Sequence, residues 1–226
     1  MDKKEALLCS KVSRLTYVDK YEFKDFQLTA RFENKGTDTQ GVFGVAYGNT
    51  LVIGFRGSEE TGITDWITDL KFAQQVFPYG DGNNNIKVHY GFSEAYKSVR
   101  EAVLDAAKKT PHKRIMTTGH SLGGALAKLA ALDIQFNVPG KEISCYTFGA
   151  PKVGNAEFVK SYNKRVPNTF RIVNGVDSIP DLPPGSYEHC GACYPVGEAA
   201  SGLLDAIKAK IQDHLPNSYI EVLQKW

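Results

Sequence analysis

Long apolar runs are missing from this chain: no stretch among its 226 residues approaches the roughly 18 to 20 that a membrane-spanning helix needs. Cysteine is scarce. Cys9, Cys145, Cys190 and Cys193 are too few for a disulfide scaffold. A chain of this size buries roughly 70–75% of its unfolded surface and needs no such staple. No charge of one sign dominates either. Lys and Arg number 27 against 25 Asp and Glu, a net of +2, and the cations are scattered. Neither a nucleic-acid-binding patch nor a basic membrane tail is drawn by that pattern. Met1 to Cys9 contains no apolar segment of signal-peptide length, which leaves location open. Repeats, low-complexity stretches and linkers are absent too, so one domain over 1–226 is expected.

Cys190-Gly191-Ala192-Cys193 has the spacing of a metal knuckle. A zinc site wants two further ligands at matching spacing, and only His189 is near. Free thiols or a local disulfide are therefore expected, and no metal.

The pattern that is present alternates. Ala6, Leu7, Val12 and Leu15 mark an opening helix within Lys3 to Tyr17. Strands are expected at Phe26–Phe32, Gly41–Tyr47 and Thr50–Phe55, with Gly48-Asn49 as a turn between the last two. Phe92, Ala95, Tyr96, Val99, Val103 and Ala106 form one apolar face of a helix that Pro111 stops. Beyond it, strands at Arg114–Thr118, Ile143–Phe148 and Thr169–Asn174 alternate with helices at Ser121–Phe136 and Asn155–Asn163. That alternation implies an α/β fold: a largely parallel sheet with helices on both faces, plus an antiparallel edge from the early strands. After Asp177 the chain reads as loop through Pro180, Pro183, Pro184 and Gly185, then as helical pieces at Leu203–Ile211 and Ser218–Trp226.

Gly119-His120-Ser121-Leu122-Gly123 is a G-x-S-x-G sequence placed directly between an expected strand and an expected helix. That context gives the pattern its meaning. A sharp turn there strains the serine backbone, and the residues two positions either side must lack side chains to avoid collision. The helix N-terminus then aims free N–H groups and its positive dipole end at an oxygen that becomes anionic. Ser121 is the candidate nucleophile. It needs a base, and the base an orienting carboxylate, in chain order Ser, acid, His. Asp177, just past the strand around Phe170–Val173, is favoured over Asp181, which suits a turn before Pro183. Of five histidines only His189 and His214 follow such an acid, and chain order alone leaves both open.

At these residues the chain resembles the class 3 lipases, the fungal-lipase-like branch of α/β-hydrolases. The likeness runs from about Tyr17 to Tyr219 and rests on six ordered segments: Leu51–Ser58, Val88–Phe92, Thr118–Ala127, Tyr146–Asn155, Arg171–Pro180 and Asp213-His214. The resemblance implies that Asp177 is the triad acid and His214 its base, with His189 structural. It also implies that Ser58 gives its N–H and hydroxyl to an oxyanion hole whose second donor is the N–H of Leu122. His89 and His120 look like framework positions, His120 pointing into the sheet. His214 also lies on a terminal loop, where such folds deliver their histidine.

The family places a lid in the segment 59–77. There Ile63, Trp66, Ile67 and Leu70 fall at helical spacing opposite Thr64, Asp65, Thr68 and Asp69. An apolar stripe of that kind would cover an apolar acyl pocket; a permanently packed amphipathic helix is the alternative. The implied activity is carboxylic ester hydrolysis through an acyl-enzyme, on lipid esters met at a lipid–water interface, without metal or cofactor and without an obligate protein partner. A feruloyl or acetyl-xylan esterase, or an acyltransferase, would use the same triad.

Overall fold

The computed structural model of the chain describes residues 1–58, 73–77, 84–198 and 212–226. Three strands, β1 (Phe26–Asn34), β2 (Thr39–Ala46) and β3 (Thr50–Phe55), form an antiparallel meander. The turn between β2 and β3 is built on the positive φ of Tyr47 (52°) and Gly48 (69°), one residue earlier than the Gly48-Asn49 expectation. A small antiparallel ribbon follows from β4 (Gln74–Val76) and β5 (Lys87–His89). Four further strands, β6 (Arg114–His120), β7 (Glu142–Phe148), β8 (Thr169–Asn174) and β9 (Ala192–Val196), run parallel to β3 and to one another. The resulting seven-stranded sheet has the order β1-β2-β3-β6-β7-β8-β9.

Alternation along the central strands sorts the core into two layers. Leu51, Ile53 and Phe55 of β3, Ile115 of β6, and Ile143 and Cys145 of β7 face one way. They pack under α2 (Tyr90–Lys109), α3 (Leu122–Asn137) and α4 (Ala156–Arg165). Val52, Met116, Tyr146, Phe148 and Ile172 face the other way and pack under α1 (Lys3–Leu15) and α5 (Pro216–Lys225). The helices thus cover both faces, as the alternation implied. Three helices start where the sequence offers a start signal: Asp2 accepts from the N–H groups of Lys4 and Glu5, Asn155 from that of Phe158, and Pro216 opens α5. On α3 the apolar positions go all round, because the helix is sandwiched between the sheet and α2.

Several expectations shift or fall elsewhere. On α2, Phe92, Tyr96, Val99 and Val103 of the expected face are buried, Ala95 and Ala106 are half-buried, and Ala107, outside that face, is buried. The strand β9 was not expected; it is a short margin strand carrying Pro195, a residue tolerated only where no neighbour needs its N–H. The four cysteines are free thiols, Cys190 buried and Cys193 exposed on β9. Among the described residues no cluster of metal-ligating side chains occurs, and no helix is long and apolar enough to cross a membrane. The expected lid residues Ile63, Trp66, Ile67 and Leu70, and the helical piece Leu203–Ile211, lie outside the described residues. The last part of the 59–77 segment is β4, a strand paired with β5.

Candidate active site

β6 ends at His120 and α3 begins at Leu122, so Ser121 alone makes the turn, with φ 56° and ψ −130°. A residue with a side chain is strained in this region. The strain is held by two backbone bonds: Ser121 N–H donates to the Phe148 carbonyl at 2.9 Å, and the Ser121 carbonyl accepts the Gly124 N–H at 2.9 Å. A Cβ on Gly119 would lie 2.2 Å from the backbone of Gly123, and one on Gly123 would lie 2.2 Å from the Phe55 carbonyl oxygen. The glycine spacing in the sequence is therefore a steric requirement of the turn. Ser121 is buried, and among the described residues its Oγ has no hydrogen-bond partner. As the first residue of α3, Leu122 has no intrahelical acceptor for its N–H.

One strand beyond β7, β8 ends at Asn174, and the turn after it delivers Asp177. The Asp177 carboxylate is buried and receives three donors. Ile179 N–H reaches Oδ1 at 2.9 Å, while Oδ2 takes His214 Nδ1 at 2.8 Å and the Tyr219 hydroxyl at 2.6 Å. Burial, and then the Asp177 charge, push the Tyr219 phenol well above its ordinary pKa, so it stays a donor. Nδ1 of His214 is thereby tied to the carboxylate, and Nε2 is the nitrogen left to act; it is buried and without a partner, like Ser121 Oγ. Gly149, next to the residue that holds Ser121 N–H, sits against this pair: a Cβ there would meet Asp177 Oδ2 at 2.5 Å and His214 Nδ1 at 2.9 Å. Ser121 Oγ and His214 Nε2 are not hydrogen-bonded to each other, and bonds of this kind tighten when substrate binds.

The segment carrying His214 is anchored by its neighbour. Asp213 accepts the Val176 N–H on its carboxylate at 2.9 Å, and its carbonyl accepts from Asn174 Nδ2 at 3.0 Å. Asp213 thus locks the histidine segment to the turn that carries Asp177. Asp181, the rival acid, is exposed in a short 3-10 turn, its N–H donating to the Ser178 carbonyl at 3.2 Å and its carbonyl accepting from Lys152 Nζ at 2.9 Å.

Two further histidines hold backbone and side-chain contacts of the fold. His89 caps α2, its Nδ1 accepting the Phe92 N–H at 3.2 Å. His120 is buried beside His214, its Nε2 2.5 Å from the His214 carbonyl oxygen and its Nδ1 3.0 Å from the Tyr17 hydroxyl. A carbonyl can only accept, so Nε2 carries the proton and Nδ1 accepts from Tyr17. The Tyr17 oxygen in turn accepts the Gly57 N–H at 3.1 Å. This chain joins the strand end before Ser58 to the backbone of His214, and nothing in the sequence around Tyr17 signals it. Ser58, three residues past β3 and half-buried, shares the wall of one cavity with Leu122.

Burial and then the His214 ring drive the His120 pKa well below its usual value. Burial, then the charges of Lys128 and Arg171, push His189 down to about 2. Both imidazoles are neutral in the folded protein but bind protons below about pH 6.5 when the chain unfolds. The folded state then holds fewer protons than the unfolded one, so stability falls as pH drops through that value. From pH 7 to 5.5 each group should cost about 1 kcal/mol. Urea titrations at the two pH values measure it, and His189→Gln should remove about half of this pair's contribution; an unaltered pH dependence in that variant would contradict the assignment.

Comparison with known proteins follows the same geometry. The family model for lipase (class 3) matches residues 52–187, more than half of the chain. The chain belongs to the class 3 lipase family. Within that family, a lipase of Rhizomucor miehei is 38% identical over 154 residues, covering 64% of this chain and 41% of the relative. A secreted mono- and diacylglycerol lipase of Fusarium solani is 36% identical over 138 residues, covering 59% and 39%. The chain thus spans less than half the length of these curated relatives. Among solved structures, the native Rhizomucor miehei lipase propeptide complex superposes with TM-score 0.76 at 30% identity, over 85% of this chain and 68% of that one. A triacylglycerol lipase whose catalytic centre is described as a serine protease triad superposes with TM-score 0.75 at 31% identity, over 85% and 79%. These likenesses extend the α/β-hydrolase architecture across most of the described chain.

Proposed function

We propose that this class 3 lipase family member is an acylglycerol lipase in which Ser121, His214 and Asp177 form the triad. His214 Nε2 takes the proton of Ser121 as Oγ attacks the ester carbonyl, and Asp177 fixes the tautomer and steadies the imidazolium. The N–H groups of Ser58 and Leu122, with the Ser58 hydroxyl, receive the oxyanion, each N–H donor contributing about 3–4 kcal/mol to the transition state. His214 then protonates the leaving alcohol and activates the water that cleaves the acyl-enzyme. No step calls for a metal or cofactor. The substrate is an ester met at a lipid–water interface.

One observation carries the assignment: a buried imidazole held at 2.8 Å by a buried carboxylate, both packed against Gly149, whose neighbour Phe148 holds the strained Ser121. Relatives named as triacylglycerol and as mono- and diacylglycerol lipases support the substrate class. The test is a fluorophosphonate probe combined with a substrate panel. A single covalent label on Ser121 and hydrolysis of emulsified acylglycerols in preference to methyl ferulate are expected. Preference for methyl ferulate would move the assignment to a feruloyl esterase, and absence of labelling would refute the nucleophile.

A further inference from the structure

On the face of the sheet covered by α3 and α4, several buried polar groups lack partners. Thr147 of β7 and Arg171 of β8 are register neighbours and share the face that Cys145 turns toward those helices. α3 crosses them closely: a Cβ on Gly124 would lie 3.2 Å from the Thr147 Cβ. Lys128 follows one helical turn later on the same side of α3, is wholly buried, and donates from Nζ to the Pro151 carbonyl at 3.0 Å. His189 belongs to the segment fixed alongside by an antiparallel bridge between Gly154 and Glu188. Arg171 Nε, Thr147 Oγ1 and His189 Nδ1 are each buried without a partner. Lys128 Nζ carries three protons, of which Pro151 takes one.

The cluster is positive and its charges are uncompensated. Burial lowers the Lys128 pKa; Arg171 lowers it further, and only the thiols of Cys190 and Cys145 act the other way, with no carboxylate among these influences. The charges that depress His189 are Lys128, Arg171 and Lys152, all cations. One acceptor is present as well. His189 gives the proton of its other ring nitrogen to the Pro180 carbonyl, so the neutral ring offers Nδ1 as a lone pair. Two cations and a hydroxyl call for negatively charged oxygen, and the imidazole lone pair calls for a proton. A halide meets the first need and not the second. Water satisfies the hydroxyl and the imidazole but leaves a wholly buried ammonium without counter-charge. An oxyanion that keeps a hydroxyl at neutral pH meets both needs.

We infer that Lys128, Thr147, Arg171 and His189 form a binding site for a small proton-bearing oxyanion of the hydrogen phosphate or hydrogen carbonate kind. Arg171 and His189 are only half-buried, which gives the site a way to solvent. Pro180, the partner of His189, belongs to the turn that follows Asp177, so the occupant braces that turn from behind. The site does not depend on the ester-hydrolase assignment.

The experiment is thermal unfolding of wild type, Lys128→Met and Arg171→Gln at pH 7 in a zwitterionic buffer. Sodium phosphate, bicarbonate and, at matched ionic strength, chloride are titrated in turn. Wild type should melt about 5 °C or more higher at a hundredfold excess over the half-saturating oxyanion concentration, and the rise should saturate. The oxyanion with the lower half-saturating concentration is the ligand. Lys128→Met should lose the rise. In buffer alone it should melt at or above wild type, because methionine keeps the length and removes the uncompensated charge. Arg171→Gln should need about tenfold or more oxyanion for half-saturation, and it carries the test if Lys128→Met does not fold. A wild-type response that does not saturate, a chloride response as large as that to the oxyanions, or an unaltered response in the folded variants overturns the site.

Discussion

Ser121→Ala should lower kcat for ester hydrolysis by about 10⁴ to 10⁶-fold and leave a folded protein. The size follows from the triad acting as a unit: without the oxygen there is no acyl-enzyme, and His214 and Asp177 have nothing to activate. The intact fold follows from the surroundings of the oxygen. Among the described residues Ser121 Oγ has no hydrogen-bond partner, so its removal orphans no buried donor or acceptor there. The turn is held by the backbone bonds to Phe148 and Gly124, which alanine keeps. Alanine bears the positive φ at much the same strain as serine. Circular dichroism and urea titration should match wild type within about 0.5 kcal/mol. Near-wild-type turnover in such a folded variant would remove the basis of the proposed mechanism.

The second large effect separates two histidines that both follow Asp177 in the chain. His214→Ala should lose about 10⁴-fold or more in kcat, because the imidazole bound to Asp177 is the base that Ser121 needs. His189→Ala should stay within about tenfold of wild type in activity and act mainly on stability. The structure places His189 among Lys128 and Arg171, with its pKa held at about 2, conditions in which an imidazole cannot take a proton near neutral pH. Its Nδ1 is buried without a partner, whereas Nδ1 of His214 meets a carboxylate. Activity retained in His214→Ala and lost in folded His189→Ala would overturn both the base and the choice of Asp177.

The nucleophile turn was legible because its constraints are local. Glycines two residues either side of Ser121, a β-rich segment before and an apolar helix after leave one conformation open to five consecutive residues. The order of strands and helices was legible for a similar reason: each element shows its own period over six to twenty residues. Strand β9 escaped because its five residues include Pro195, and only the neighbouring β8 makes an extended segment of them. The anchoring role of Asp213 left no trace in the sequence, because its carboxylate accepts the Val176 N–H 37 residues away.

The sequence by itself determined the α/β alternation, the antiparallel edge, the position of the strained serine and the short list of acids and bases. What only the tertiary structure decided is which of those groups meet. Asp177 is joined to His214 across 37 residues and to Tyr219 across 42; Tyr17 is joined to His120 across 103. Periodicity records which face of an element is buried, and turn residues record where the chain reverses. A hydrogen bond between distant side chains leaves no such trace, because its geometry is set by how α1, α5 and the sheet pack, and that packing is summed over contacts spread through the whole chain.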